Sequence, residues 1–194
     1  MRGLLRWRCL GRRPVVAALS AALTLWLLLA CGAARAGKAH EHGVGKLNIT
    51  QDGAAAYTLE LELPLDSLVG FERPPRTAPE RQAAEAAKAR LRDAAMLFRV
   101  QPVAGCAVQL RELSVPVWEV MDRGTSAGKG VAAHADAHAA YGVQCPPKET
   151  IQGVEVHLFE AFPRLKRLQV QAALTNGQRL FRLTPTQRRV DLGP

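Results

Sequence analysis

Apolar residues alternate with polar ones over residues 44–65, and this period of two constrains the fold more than any other feature of the chain. Successive side chains of a β-strand point to opposite faces, so the alternation predicts strands with one buried face. The dipeptide Asp52-Gly53 lies between two such runs and is typical of a tight turn, which predicts a β-hairpin. The apolar positions of the two runs are Leu47, Ile49, Tyr57, Leu59, Leu61 and Leu63.

A second pattern, helical in period, follows the hairpin. Thr77 and Glu80 have the spacing of a capping box, and Pro79 suits a first helical turn. Residues 81–98 are rich in alanine and carry apolar residues at helical spacing. We therefore expect one main helix that packs closely on a sheet.

The rest of the chain returns to extended patterns. Residues 106–120, 154–158 and 168–171 alternate, and Asn176-Gly177 is the strongest hairpin dipeptide in the chain. Residues 121–138 begin glycine-rich and end in histidine and aspartate, so we expect a flexible loop there. The sequence predicts an α+β fold in a single domain, with an antiparallel sheet and one main α-helix.

The N-terminal region has the composition of a secretory leader. Residues 1–36 contain six arginines and no acidic residue, and residues 14–30 carry no charge at all. Ala34-Arg35-Ala36 supplies a small-x-small cleavage pattern. We expect residues 1–36 to be a signal peptide and residues 37–194 to be a periplasmic domain with no membrane span. The alternative is a lipid anchor on Cys31, which ends a lipobox-like Leu-Leu-Ala-Cys.

The charge of the chain belongs mostly to this leader. The formal net charge of +9 would suggest nucleic acid or an anionic membrane as a partner. Since six of the 26 basic residues and none of the 17 acidic residues lie in the leader, residues 37–194 carry only +3. The remaining basic residues lack interleaved aromatic residues, so we expect no nucleic-acid partner.

Two of the four cysteines, Cys106 and Cys145, lie in the expected domain. Two cysteines in an exported domain can form one disulfide, and ligation of a metal by thiolates is the competing use. Neither cysteine has a CxxC partner, which excludes a zinc ribbon and favours the disulfide.

Four of the five histidines fall into two short motifs. His40 and His42 form an H-x-H pair, and Asp136 lies between His134 and His138. Alternate residues of an extended segment share a face, so each motif can present its ligands to one ion. In a helix, His134 and His138 would share a face instead, with Asp136 as a supporting partner. Imidazole and carboxylate suit Zn²⁺, and also Cu²⁺ or Ni²⁺.

Other candidate chemistries find little support. Asp66 and Glu72 flank a loop and could act as paired carboxylates, but we expect such loop acids to face solvent. His157 shares a strand face with Glu155 and is expected on a solvated surface. The chain has no nucleophile elbow, phosphate loop or H-E-x-x-H pair, so we expect a binding protein rather than an enzyme. A metal-independent envelope interaction module and a periplasmic copper-binding protein are the alternatives.

Five segments together carry a resemblance to one family: His40-Glu41-His42-Gly43, Ser67-Leu68-Val69-Gly70-Phe71-Glu72, Ala139-Ala140-Tyr141 through Cys145, Phe159-Glu160-Ala161-Phe162-Pro163 and Leu183-Thr184-Pro185. They resemble the ZrgA-like exported zinc-binding proteins of proteobacteria. These proteins have an H-x-H-G start and a His/Asp/Glu-rich loop between two cysteine segments. The resemblance covers nearly the whole chain after the leader, although this loop lacks the repeated His-Asp pairs.

The resemblance implies a periplasmic zinc-binding protein that buffers Zn²⁺ or delivers it to a zinc uptake transporter. It transfers ligand roles to His40, His42, His134 and His138, and also to Asp136. Because the repeated His-Asp pairs are missing, we expect one defined site, with at most a weak second ion, rather than a loop that holds many ions.

Overall fold

Nine strands in two sheets dominate the parts of the chain that the computed structural model describes, which are residues 41–101, 105–118, 135–147 and 151–193. The expected signal peptide lies outside these residues. The strands are β1 (Val44–Gly53), β2 (Ala56–Pro64), β3 (Phe98–Gln101), β4 (Ala107–Ser114), β5 (Asp136–Gln144), β6 (Gly153–Val156), β7 (Arg167–Leu174), β8 (Gly177–Leu183) and β9 (Arg189–Asp191). Their order is β4-β5-β2-β1-β7-β8 in the larger sheet and β3-β6-β9 in the smaller one.

Several helices accompany the sheets, and only one of those described is long. They are α1 (Leu65–Val69), α2 (Ala78–Arg92), α3 (Ala94–Leu97) and α4 (Leu158–Ala161), and residues 116–118 are helical as well. The expected α+β fold with one main helix therefore needs correction, because the described chain is more β than α+β. None of the described helices is long and apolar enough to cross a membrane.

We predicted an antiparallel sheet from the sequence, but the larger sheet contains one parallel pair of strands. β1 pairs with β2 in antiparallel fashion and with β7 in parallel fashion. Five strands lie between β1 and β7 along the chain, which leaves ample length for the crossover that a parallel pair requires. Such a pairing has no local sequence signal, whereas the hairpin predicted at Asn176-Gly177 is confirmed between β7 and β8, with its turn at residues 175–176.

The first hairpin is confirmed, but its turn lies farther along the chain than Asp52-Gly53 predicts. Gly53 is the last residue of β1, and the turn is formed by residues 54–55. The Thr58 hydroxyl donates to the Asp52 carboxylate at 2.7 Å, which pairs Asp52 across the strands. An irregularity between Gln51 and Gly53 allows this extension of β1.

The capping box of α2 is confirmed, but this helix ends well before Phe98. The Thr77 hydroxyl accepts from the Glu80 N–H, and the Glu80 carboxylate accepts from the Thr77 N–H, both at 3.3 Å. At the other end, Asp93 leaves helical geometry with ψ 78°. Its side chain accepts the Met96 N–H at 3.0 Å, which starts the separate helix α3.

Both sheets and α2 meet in one apolar core. Ala84 and Ala87 of α2 are buried, which fits the expected close packing of an alanine-rich helix. The fully buried Tyr141 of β5 packs edge-on against Phe98 of β3, with ring centroids 5.0 Å apart. Its hydroxyl donates to the Leu91 carbonyl at 2.8 Å, and burial raises the pKa of Tyr141. This side chain joins the larger sheet to the smaller sheet and to α2.

The predicted disulfide is confirmed. Cys106 and Cys145 are bonded, with a sequence separation of 39 residues and a Cα–Cα distance of 4.0 Å. The bond connects the start of β4 to the residue that follows β5, at one edge of the larger sheet. On the chain-entropy model, closing a loop of this length restricts the unfolded chain by about 4 kcal/mol.

Candidate metal centre

His42 lies in a tight turn that leads into β1. The Val44 N–H donates to the Glu41 carbonyl at 3.1 Å, which closes the turn. Gly43 has φ +76°, in the left-handed region that favours glycine. Its carbonyl accepts two backbone N–H groups, from residues 166–167, at 2.8 and 3.0 Å. The turn is therefore fixed to the start of β7, and His42 has a defined position although its side chain is 73% exposed.

Asp66 and Glu72 reach the same point from the segment that follows β2. Asp66 lies in the first turn of α1, and this helix ends at Gly70, which has φ +87°. The Gly70 N–H donates to the Asp66 carbonyl at 2.8 Å, which closes the helix two residues before Glu72. The two acidic side chains are 23% and 21% exposed, so both are largely covered.

The three side chains bring together three potential metal ligands. Nδ1 of His42 lies 2.8 Å from Oδ2 of Asp66 and 3.8 Å from Oε1 of Glu72. All three ligand atoms lie within 4.8 Å of one another. Zinc bonds of about 2.0–2.2 Å in tetrahedral geometry separate ligand atoms by about 3.3 Å, so small rotations would fit this donor set to zinc. Three protein ligands would leave a coordination position for another group.

The residue after Glu72 is held by an ion pair with α2. The Arg73 guanidinium donates two hydrogen bonds to the Glu80 carboxylate, at 2.7 and 3.0 Å. The same carboxylate accepts the N–H groups of Arg76 and Thr77. These hydrogen bonds lower the pKa of Glu80 to about 2, and the bond from Arg73 makes the largest contribution. The loop that carries Glu72 is therefore fastened to the N-terminus of α2.

Of the ligands predicted from the sequence, His42 is the one that the described residues place in this cluster. His40 and His134 lie outside the described residues. Their predicted roles therefore rest on the sequence.

Asp136 and His138 lie on β5 and do not belong to the converging set, although Asp136 lies opposite Pro64, two residues before Asp66. Both side chains belong to the outward face of the strand, as an extended segment requires. His138 faces Glu62 of β2 on one side and Ser114 of β4 on the other. Since β5 begins at Asp136, the last three residues of the predicted loop 121–138 belong to a strand.

The two carboxylates of the cluster were not predicted as ligands. We expected Asp66 and Glu72 to face solvent, and this expectation is wrong, because each is less than a quarter exposed. The proximity of Asp66 to His42 could be predicted from the pairing of β1 with β2, in which Lys46 lies opposite Glu62. Continuing that register brings His42 opposite Asp66. Glu72 has no comparable signal, because its position depends on the helix end at Gly70.

His157 is only 19% exposed and not simply solvated as expected. Its Nδ1 lies 3.2 Å from the Glu160 carboxylate, and its Nε2 lies 3.7 Å from that of Glu155. Arg188 also pairs with Glu160. The contact with Arg188, and to a smaller extent that with His157, lowers the pKa of Glu160. The two imidazole nitrogens thus face different carboxylates, in an ion-pair network rather than a cluster converging on one point.

Comparison with known proteins identifies one family. Its sequence model, described as "ZrgA family zinc uptake protein", matches residues 39–192 of the chain. The matched range includes the His42 cluster and both bonded cysteines. No curated protein matches the chain.

Proposed function

The chain belongs to the ZrgA family of zinc uptake proteins, and from this premise we propose that it binds Zn²⁺ as cargo at His42, Asp66 and Glu72. The observation that carries the proposal is the convergence of the three ligand atoms within 4.8 Å. An imidazole nitrogen and carboxylate oxygens are ligands that zinc takes in proteins. The exposed His42 side chain gives the ion a path between the site and solvent, which suits cargo better than a structural zinc site.

The family's association with zinc uptake supports a role in supplying the ion to the cell. In our proposal the leader is removed, or Cys31 is lipidated, and the protein acts in the periplasm. There it buffers Zn²⁺ or delivers it to a component of an uptake transporter. The protein acts as a binder and carrier rather than as an enzyme.

Titration calorimetry with Zn²⁺ tests the site directly, on protein purified from the periplasm without an affinity tag. Asp66→Asn and Glu72→Gln keep the side-chain shape but remove a negatively charged ligand. We expect each to weaken zinc binding by more than about tenfold, since even groups that only support ligands contribute that much. Glu112→Gln, an exposed change on β4, is the matched control and should leave the affinity unchanged. Wild-type affinity in both site variants would refute the proposed site.

Two double variants separate the histidine motifs. His40→Ala/His42→Ala should reduce the affinity strongly, because it removes the imidazole of the described cluster. His134→Ala/His138→Ala measures what the second motif adds. Wild-type affinity in both would exclude histidine ligation. A zinc-free protein that shows no thermal shift with zinc would instead favour the metal-independent interaction module.

A further inference from the structure

Arg164 spans the two segments that build the proposed zinc site. Its carbonyl oxygen lies 3.2 Å from the position that a Cβ would occupy on Gly43, the neighbour of His42. Its guanidinium covers Gly70, where the Cζ, Nη2 and Nε atoms lie 2.9, 3.0 and 3.2 Å from a Cβ position. Gly70 lies between the two carboxylate ligands along the chain. The guanidinium plane therefore lies against the segment that carries both of them.

Two arginines of the segments next to the cluster, Arg73 and Arg167, have carboxylate partners, and Arg164 differs from them. Within the described ranges its side chain makes no hydrogen bond or ion pair, and it is exposed. A guanidinium carries five N–H donors in a fixed fork, and these donors are available to a ligand. Arg73 pairs with Glu80, and Arg167 pairs with Glu41.

A bound zinc ion would take Asp66 and Glu72 as ligands and leave Arg164 without a carboxylate partner. The Asp66 and Glu72 carboxylates together balance the charge of the ion, so no anion of the cluster remains to pair with the guanidinium of Arg164. A carboxylate placed between the ion and the guanidinium is attracted to both, because zinc accepts carboxylate oxygen and the guanidinium fork matches carboxylate geometry. The three described ligands leave a coordination position for such a group.

We infer that Arg164 and a zinc ion held by the His42 cluster together form a binding site for a carboxylate group. The inference rests on the proposed function, since it needs the ion in place. The carboxylate belongs either to an acidic side chain of a protein that exchanges zinc with this one, or to a free organic acid. In either case it occupies the remaining coordination position and accepts hydrogen bonds from Arg164.

Cobalt is the probe for this site, because Co²⁺ takes zinc positions and its visible absorption changes when a ligand joins it. Acetate is titrated into the Co²⁺-loaded protein at constant ionic strength. We expect a saturable change in the spectrum, and an acetate affinity about tenfold weaker in Arg164→Ala. Arg164→Lys keeps the charge without the fork and should recover only part of the loss. Arg182→Ala, an exposed arginine on β8, is the matched control and should behave as wild type.

A capped glutamate peptide, titrated in the same way, distinguishes the two sources of the carboxylate. Tighter binding of the peptide than of acetate identifies a protein side chain as the ligand, and equal binding identifies a free acid. The inference is overturned if acetate leaves the spectrum unchanged or binds equally well to Arg164→Ala. It is also overturned if Arg164→Ala binds cobalt more tightly and shows no other change, since Arg164 would then act only by repelling the ion. Failure of cobalt to bind the wild-type protein would contradict the proposed function itself.

Discussion

At the scale of single residues, the proposed zinc site depends on two glycines that are not ligands. Gly43 and Gly70 have φ values of +76° and +87°. Gly43 sets the turn that presents His42, and Gly70 ends α1 so that the chain returns with Glu72. Ligand motifs identify side chains that can bind metal, but these backbone conformations bring the side chains together.

Gly43→Ala should weaken zinc binding although it changes no ligand. A Cβ there would lie 3.2 Å from both the Arg164 carbonyl and Cγ of Lys166, and the left-handed conformation would be strained. We expect a loss of about 1 kcal/mol in the free energy of unfolding, together with weaker zinc binding. Urea unfolding and zinc calorimetry measure the two effects.

The matched control for this prediction is Gly53→Ala. The nearest atom to a Cβ at Gly53 lies 4.0 Å away, and Gly53 does not have a positive φ. This variant should keep wild-type zinc affinity. If Gly43→Ala also binds zinc as wild type does, the turn does not position His42.

At the scale of elements, the register of the β1–β2 hairpin explains why the sequence predicted only part of the site. The alternation identified both strands, but the turn dipeptide suggested the wrong pairing between them. A two-residue turn at Asp52-Gly53 would shift the register by three residues, and Asp66 would no longer lie opposite His42. His42 could be recognised from its motif. The position of Asp66 opposite it depends on the strand register, which the irregularity in β1 alters.

The ion pair at the start of α2 gives a prediction about stability and pH. Since Arg73 lowers the pKa of Glu80 to about 2, ionised Glu80 stabilises the folded state above its ordinary pKa of about 4.5. This contribution is lost as the pH falls from about 4.5 towards 2. Glu80→Gln should therefore unfold at a lower urea concentration than wild type at pH 7, and the difference should shrink as the pH approaches 2.

Glu85→Gln is the control for this prediction, because Glu85 lies on the same helix and its exposed side chain pairs with Lys88. It should have a much smaller effect on urea unfolding at pH 7. A difference between wild type and Glu80→Gln that stays constant from pH 7 to pH 2 would show that charge is not the cause.

Glu80→Gln should also weaken zinc binding, since the ion pair holds the residue next to Glu72.

At the scale of the whole molecule, the disulfide and the proposed zinc site lie at opposite ends of β5. The Leu65 N–H, next to Asp66, donates to the Ala135 carbonyl just before β5, at 3.0 Å. The bonded Cys145 follows the other end of the strand. A strand of nine residues is about 30 Å long, so stability and zinc binding are separable across this distance.

Replacing both bonded cysteines by serine should lower the free energy of unfolding by up to about 4 kcal/mol, because the unfolded chain is no longer restricted. Zinc affinity should stay close to that of wild type at temperatures where the variant is folded. Urea unfolding and zinc calorimetry on the same sample test both statements. A large loss of zinc affinity in the folded variant would show that the two ends of β5 are coupled.

Local signals predicted much of the fold, and contacts between distant segments account for what they did not predict. Alternation, the capping box and the cysteine pair each depend on residues near in sequence or on a unique pairing, and each led to a correct element. The parallel pairing of β1 with β7 and the division into two sheets depend on segments far apart in the chain. Glu72 joins the site for the same reason, through the helix end at Gly70.

The most direct test of the central claim is anomalous diffraction at the zinc absorption edge, from crystals of the zinc-loaded protein. The proposed function predicts an anomalous peak within about 2.2 Å of the His42 imidazole, with Asp66 and Glu72 as its oxygen ligands. A peak at His138 without one at His42, or no peak at either position, would contradict the assignment of this cluster as the zinc site.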